Sequence, residues 1–270
     1  MNYGERLPHP ALRPFVRACW SLSGGGGAMG AQPILPDGCT ELVVHRGRPF
    51  RLFAGAMEER QAPLLFVGQM RRPVLLAPDG GAEAIGIRFH PHGAFALLGV
   101  PQHGLADAIP TGEGLGLPWL TAALRRAQEA PSAAAGLALL ERALLARVGR
   151  STRDARVEAA VALVGRHGGA VSVEAAAARA GTSARHLERL FREWVGVGPK
   201  TLARVARFQA AAARLLRAPE LPLARLSADS GYFDQSHMVR DFLALGGASP
   251  DQMRRGLGQM TAAMLRGADD

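Results

Sequence analysis

The stretch Gly231-Tyr232-Phe233-Asp234-Gln235-Ser236, followed by Arg240, Phe242, Gly247 and Pro250, has a counterpart earlier in the same chain. There Gly181, Leu187, Arg189, Phe191, Gly196 and Pro199 repeat the chemistry of Gly231, Met238, Arg240, Phe242, Gly247 and Pro250. The glycines lie fifty residues apart and the other pairs fifty-one, so one residue has been added in the turn after the second glycine and the register then holds. Further upstream, Val173 and Ala177 match Leu223 and Ser227. Repetition at a fixed period marks a duplicated supersecondary unit.

Each copy fits a helix-turn-helix, expected over 172–195 and 222–245. A small residue, Ala177 or Ser227, stands four places before the glycine, where two crossing helices would reject a larger side chain. The glycine supplies the positive φ of a tight turn. Leu187, Leu190, Phe191 and Trp194 recur at helical spacing and give the second helix a buried stripe. The opposite face carries Arg185, His186, Glu188, Arg189 and Arg192 in the first copy, and Gln235, Ser236, His237 and Arg240 in the second. Arginine can donate two hydrogen bonds to guanine, and glutamine can pair bidentately with adenine. Helix N-termini near Ser183 and Asp234 offer backbone N–H groups to phosphate. Between the copies, a helix over 199–217 sets Arg204, Arg207 and Arg214 within about 80° of one another. Leu202, Val205, Phe208, Ala212 and Leu215 fall on another side, toward a core. Such a linker would hold two recognition helices at a fixed separation, and about 34 Å would let both enter successive major-groove segments.

These residues resemble the DNA-binding domain of the AraC/XylS family of bacterial transcription regulators. The hallmark after the second turn stands here as Gly231-Tyr232-Phe233-Asp234-Gln235-Ser236, then Arg240, Phe242, Gly247, Ser249 and Pro250. The resemblance implies base contacts from Arg185, Glu188 and Arg189 in the first copy, and from Gln235, Ser236, His237 and Arg240 in the second. It also implies double-stranded DNA as partner, a homodimer and RNA polymerase as a further partner; a cytoplasmic location is expected instead from the lack of a membrane-length apolar run, a signal peptide and a disulfide framework. Two features depart from a plain recognition face. Glu188 can accept from cytosine N4 or simply pair with Arg185 or Arg192, and Gly246-Gly247 is expected to loosen the end of the last recognition helix.

The totals fit this reading without proving it. The chain has 270 residues and a formal charge of +9, with 48% hydrophobic and 20% charged residues, which suits a folded protein rather than a disordered one. Basic residues outnumber acidic ones in both halves, and Lys200 is the only lysine, so charge alone does not locate a nucleic acid. No apolar run approaches the ~20 residues of a membrane helix, and no signal peptide is visible, so no membrane partner is expected. Two cysteines, Cys19 and Cys39, make neither a disulfide framework nor a zinc site by themselves.

Through about residue 110 the chain is punctuated by Gly and Pro. Short apolar runs at Glu41–His45, Leu64–Val67, Val74–Ala77 and Ala84–Phe89, with turns at 36–38 and 79–81, read as antiparallel strands, and Gly24–Gly27 reads as a flexible loop. Helical spacing begins at about 117–129 and 132–149. From 153 onward everything reads as helix, over 153–166, 172–180, 183–195, 199–217, 222–229, 234–245 and 249–256. The expected class is α+β with two domains. Residues 1–150 form a β-rich, cupin-like barrel with helices at about 117–149, whose apolar faces are the expected dimer surface. Residues 151–270 form an all-α domain in which a linker helix joins the two helix-turn-helix motifs.

In the N-terminal half, Arg88-Phe89-His90-Pro91-His92-Gly93 suggests a metal, because a His-x-His pair on a strand puts both imidazoles on one face. A third ligand is missing, since no Glu follows until Glu113. The alternative function, a metal-dependent cupin-like enzyme carrying a helical regulatory domain, depends on that site. Pro36-Asp37-Gly38 with Glu41-Leu42, Gly68-Gln69, and Arg88-Phe89 with Pro91 and Gly93 resemble a domain found upstream of such regulators. The resemblance implies a small-molecule effector, with Glu41, Gln69, Arg88 and His90 as candidate contacts. No phosphate-binding loop or nucleophile–base pair is present, so no catalytic residue, metal or cofactor is assigned.

Overall fold

The computed structural model describes residues 2–24, 30–54, 57–78, 80–256 and 261–262. Residues 25–27 of the glycine loop and Asp79 of the second turn lie outside them. Nine strands appear among the described residues: β1 (Asn2–Arg6), β2 (Val16–Ser23), β3 (Gln32–Ile34), β4 (Thr40–His45), β5 (Arg51–Ala54), β6 (Met57–Arg60), β7 (Leu64–Val67), β8 (Val74–Ala77) and β9 (Glu83–Phe89). The four expected runs are β4, β7, β8 and β9. All pairings are antiparallel, in two sheets of order β1-β2-β9-β4-β7 and β3-β8-β5-β6. No strand of one sheet pairs with the other among the described residues. The β-rich half is therefore as expected, but its sheets are not closed into a barrel.

Strands β2, β9, β4 and β7 of the larger sheet are buried on both faces, and the period of two decides which residue goes where. Trp20, Leu22, Val43, Leu65 and Ala84 face the smaller sheet, where Leu76 and Phe50 meet them. Their neighbours Cys19, Leu42, Val44, Leu64, Phe66, Ile85 and Ile87 face helices. Gly86 leaves the space for Trp20, since a Cβ there would lie 2.2 Å from the indole ring.

Three helices cover that second face: α1 (Gly93–Leu98), α2 (Pro118–Gln128) and α3 (Ala133–Val148). Their apolar residues Leu120, Leu124, Leu137, Leu140 and Leu144 are buried in the chain's own core. The surface expected to hold a second subunit is therefore already covered by the chain's own sheet, and no large apolar side chain of α2 or α3 is exposed. Half-buried Arg46 clamps the end of α2. Its guanidinium donates to the carbonyls of Ala127, Gln128 and Ala130 and pairs with Glu83 at 2.8 Å, satisfying C-terminal groups that have no partner inside a helix.

The C-terminal half comprises α4 (Ala155–Arg166), α5 (Val173–Arg179), α6 (Ala184–Trp194), α7 (Pro199–Arg217), α8 (Leu223–Asp229), α9 (Gln235–Asp241) and α10 (Pro250–Arg255). A wider π-helical turn over Phe242–Gly246 extends α9. The seven expected segments match these helices to within a few residues. Ser and Asp side chains begin five of them, with Asp154, Ser172, Ser183, Asp234 and Ser249 each accepting from a backbone N–H of the first turn.

The two halves share one apolar core. It runs from the larger sheet through α1–α3 to α4, α5, α6 and the start of α7. Phe95 of α1 packs at a tilt against Trp194 of α6 with ring centroids 4.4 Å apart, and the Gln102 N–H donates to Glu193 O at 2.8 Å. Pro36 of the first turn accepts from Gln209 Nε2 of α7 at 2.5 Å. No helix among the described residues is long and apolar enough to cross a membrane.

Candidate nucleic-acid interface

Both turns have the geometry that the repeat implies. Gly181 and Gly231 adopt φ of 63° and 71°, a region that only glycine enters without strain. Ala177 and Ser227 are buried where α5 meets α6 and α8 meets α9. Leu187, Leu190, Phe191 and Trp194 bury one side of α6, and Met238 and Phe242 do the same for α9. The opposite faces are open. Arg185, Arg189 and Arg192 are exposed on α6, and Gln235, Ser236 and Arg240 on α9. His186, Glu188 and His237 are half-buried.

The outward residues are not all equally available. His186 has Arg156 and Arg189 nitrogens at 3.1 Å from its two ring nitrogens. Glu188 pairs with Arg192 at 3.4 Å, and not with Arg185. Its carboxylate also lies over Gly198, the N-cap of α7, so closely that a Cβ there would be 2.4 Å from Oε1. Negative charge at a helix N-terminus is favourable, so the Glu188 carboxylate is well placed against the start of α7. His237 sits edge-on against the Tyr232 ring at 5.3 Å.

Arg204, Arg207 and Arg214 share a side of α7, as expected, and that side grips the second helix-turn-helix. Arg204 Nε binds the buried Asp241 carboxylate at 2.6 Å, Arg207 lies 4.9 Å over the Tyr232 ring, and Arg214 donates to Asp229 O at the end of α8. Spacing revealed the common side, whereas the partners became visible only when α8 and α9 were in place. The expected loosening at Gly246-Gly247 takes a specific form. Gly246 is buried, with space for a Cβ taken by Met253 at 1.9 Å and Phe208 at 3.1 Å, and Gly247 ends the π-helical turn at φ 70°.

A family model described as a helix-turn-helix domain matches residues 176–256, which contain both turns and both exposed faces. The C-terminal domain is an AraC-type helix-turn-helix domain. Residues 4–110 match a second model, described as a domain of unknown function, DUF6597. No curated protein sequence matches the chain. Structures of ToxT from Vibrio cholerae are similar. One has 9% identity and a TM-score of 0.47, covering 95% of this chain and 99% of that one. Another, with unsaturated fatty acid bound to ToxT, has 10% identity and a TM-score of 0.45, covering 88% and 94%. With the AraC-type domain in place, the chain carries the DNA-binding module of a transcription regulator.

Against the AraC-type domain, the N-terminal candidates divide into two groups. Arg88 is buried among carboxylates, with Glu5 at 2.5 Å, Glu41 at 2.6 Å and Asp37 at 3.3 Å. Burial opposes its charge, and the neighbouring Glu41 and Asp37 more than offset that. Gln69 donates to Gly38 O at 2.6 Å. Arg88, Glu41 and Gln69 thus brace the 36–38 turn that meets α7. His90 stands apart, its Nε2 3.1 Å from Arg13 O, on the wall of a cavity of about 560 Å³.

That cavity lies between the two halves. One wall is apolar and comes from the helical C-terminal half: Val161 and Val164 of α4, and Leu202, Ala206 and Ala210 of α7. The other wall contains Arg13, Arg17, Asp37, Cys39, His90 and His92, and Arg153 and Glu158 also line the cavity. Glu158 already binds Arg153 at 2.6 Å, and Asp37 binds Arg88. Burial pushes the His92 imidazole down to about 4, with His90 adding to the effect, and burial with the Asp37 charge pushes the Cys39 thiol up to about 12. His90 and His92 are not on a strand, because β9 ends at Phe89 and His92 precedes α1. Their rings lie nearly parallel with centroids 6.2 Å apart. Among the described residues, no three His, Cys, Asp or Glu side chains are grouped to hold a metal ion.

Proposed function

We propose that the chain is a sequence-specific transcription regulator that reads one DNA site through α6 and α9, under control of a small molecule held between its halves. The carrying observation is the duplication itself. Two turns of the same design present two exposed polar helices, and α7 fixes both by named contacts. Arg185, Arg189, Gln235, Ser236 and Arg240 are the proposed base-reading residues, with His237 beside them. Glu188 is assigned to α7 instead. Residues 1–150 serve as the regulatory part and 151–270 as the DNA-binding part, in the cytoplasm where the DNA lies. A homodimer and contact with RNA polymerase belong to the same reading.

The effector is proposed for the cavity between the halves. Among its lining residues, Arg13, Arg17 and Arg153 outnumber Asp37 and Glu158; Arg153 is committed to Glu158, and Asp37 pairs with Arg88 from outside the cavity. The opposite wall is aliphatic. A small molecule with an acidic group and an apolar body complements both walls. A ligand spanning the cavity would touch α4 and α7 directly, and it shifts the DNA-binding equilibrium to the extent that it binds two arrangements of the halves unequally.

Selection of preferred sites from random duplex DNA, followed by binding across a salt series, tests the function. The expected result is a two-part site with elements about one helical turn apart. Weak binding with no enriched sequence, with and without extracts of small molecules, would overturn it.

A further inference from the structure

Four large apolar side chains are exposed among the described residues: Leu7, Leu75, Leu243 and Phe233. Phe233 stands out at 92% exposure, against 64% or less for the others. It lies in the turn that leads into α9, between two residues whose positions are fixed. Tyr232 before it is buried, with Arg207 over its ring. Asp234 after it is the N-cap of α9 and accepts from the His237 N–H at 2.6 Å.

The repeat shows that the fold does not require this ring. In the first copy a single residue, Thr182, separates Gly181 from the N-cap Ser183. In the second, two residues separate Gly231 from the N-cap Asp234, and the register afterwards is the same. Tyr232 takes the inward place, so Phe233 is the additional residue and projects into solvent. Its place is at the N-terminal end of α9, next to the exposed Gln235 and Ser236. The N-terminal residues of a recognition helix are the ones that reach base edges in the major groove. The apolar feature of that groove is the 5-methyl group of thymine.

We infer that Phe233 is a specificity-determining residue of the DNA interface, packing its ring against the 5-methyl group of a thymine in the half-site read by α9. The inference rests on the proposed function and adds a base to it that none of the polar side chains would select. The first copy has no equivalent ring, so the two half-sites differ in this requirement.

The test uses the full chain and its selected duplex. Each thymine of the α9 half-site is replaced in turn by deoxyuridine, which removes the methyl group and leaves every hydrogen-bonding atom. The parent is expected to lose about fourfold in affinity at one such position, as for burial of a single methyl group. Phe233→Ala is expected to bind the unmodified site about fourfold more weakly and to be indifferent to deoxyuridine there, whereas Phe233→Leu retains part of the discrimination. Unchanged melting of both variants confirms that Tyr232 and Asp234 still hold the turn. If Phe233→Ala binds thymine and deoxyuridine duplexes as the parent does, the inference is wrong. The same holds if it keeps the deoxyuridine penalty, or if it loses only capture of RNA polymerase. If the parent selects no site at all, the proposed function fails and takes this inference with it.

Discussion

At the scale of single residues, exposure on the right face does not by itself make a reader of DNA. Arg189 and Arg240 occupy matching positions on α6 and α9 and both are exposed. Arg189→Ala and Arg240→Ala are each expected to cost about 1–3 kcal/mol of discrimination, at different halves of the site, measured by competition with half-site variants. Glu188 is the contrasting case. Glu188→Gln keeps the size of the side chain but removes the charge from the N-terminus of α7. It should lower stability by up to about 1 kcal/mol, discounted for solvent exposure, and leave the selected sequence unchanged. A shifted base preference in site selection would return Glu188 to the reading face. The buried imidazoles have a different signature. Burial pushes His45 and His92 down to about 4, while the unfolded chain titrates near about 6.5. Their contribution to stability is complete above that value and is lost as pH falls toward 4. Melting temperature should drop over this window, and His92→Gln should flatten the drop.

At the scale of elements, the difference between legible and hidden features follows from what fixes each one. The helices after residue 117 were legible because their ends carry local chemistry: Ser132, Ser172, Ser183 and Asp234 at caps, Pro118, Pro199 and Pro250 in first turns. Strands β4, β7 and β9 were legible because both faces are buried, which makes them continuous apolar runs. β3 has Pro33 at a sheet edge, and β6 is an edge strand reading Met-Glu-Glu-Arg, so neither carries such a signal. Helix α1 was hidden because it is short and starts at Gly93, where a Cβ would lie 1.8 Å from Phe15 O. The two reading faces were legible through the repeat. The arginine grip on the second helix-turn-helix was not, because it depends on which element faces α7. Its test is Arg204→Ala. The change leaves the Asp241 carboxylate, 4% exposed, with only the His237 ring at 4.0 Å, and because the Arg204 side chain is itself 40% exposed the loss is about 1–3 kcal/mol, as for a buried polar group left without its partner. Thermal unfolding checks this loss, and a stability within about 0.5 kcal/mol of the parent would show that the grip is dispensable.

At the scale of the whole molecule, the cavity joins what the sequence showed as two separate halves. Of its lining, only His90 was named from the sequence as an effector contact; the opposite wall was not legible, because α4 and α7 come to face His90 and Arg13 only through tertiary packing. Ala206→Phe would fill part of the space from the α7 side. The expected outcome is DNA binding close to the parent's but no longer responsive to the effector, measured as operator affinity with and without ligand. A variant that still responds fully would place the effector elsewhere. The contact of Phe95 with Trp194 carries a further consequence for how such chains diversify. A chimaera joining this AraC-type domain to a foreign sensor at residue 150 would leave the Trp194 indole, with Val195 and Val197, facing water unless the new sensor brought its own ring to the same place. The two halves are therefore not freely interchangeable cassettes, and substitutions at Phe95 and Trp194 should be found together across related chains.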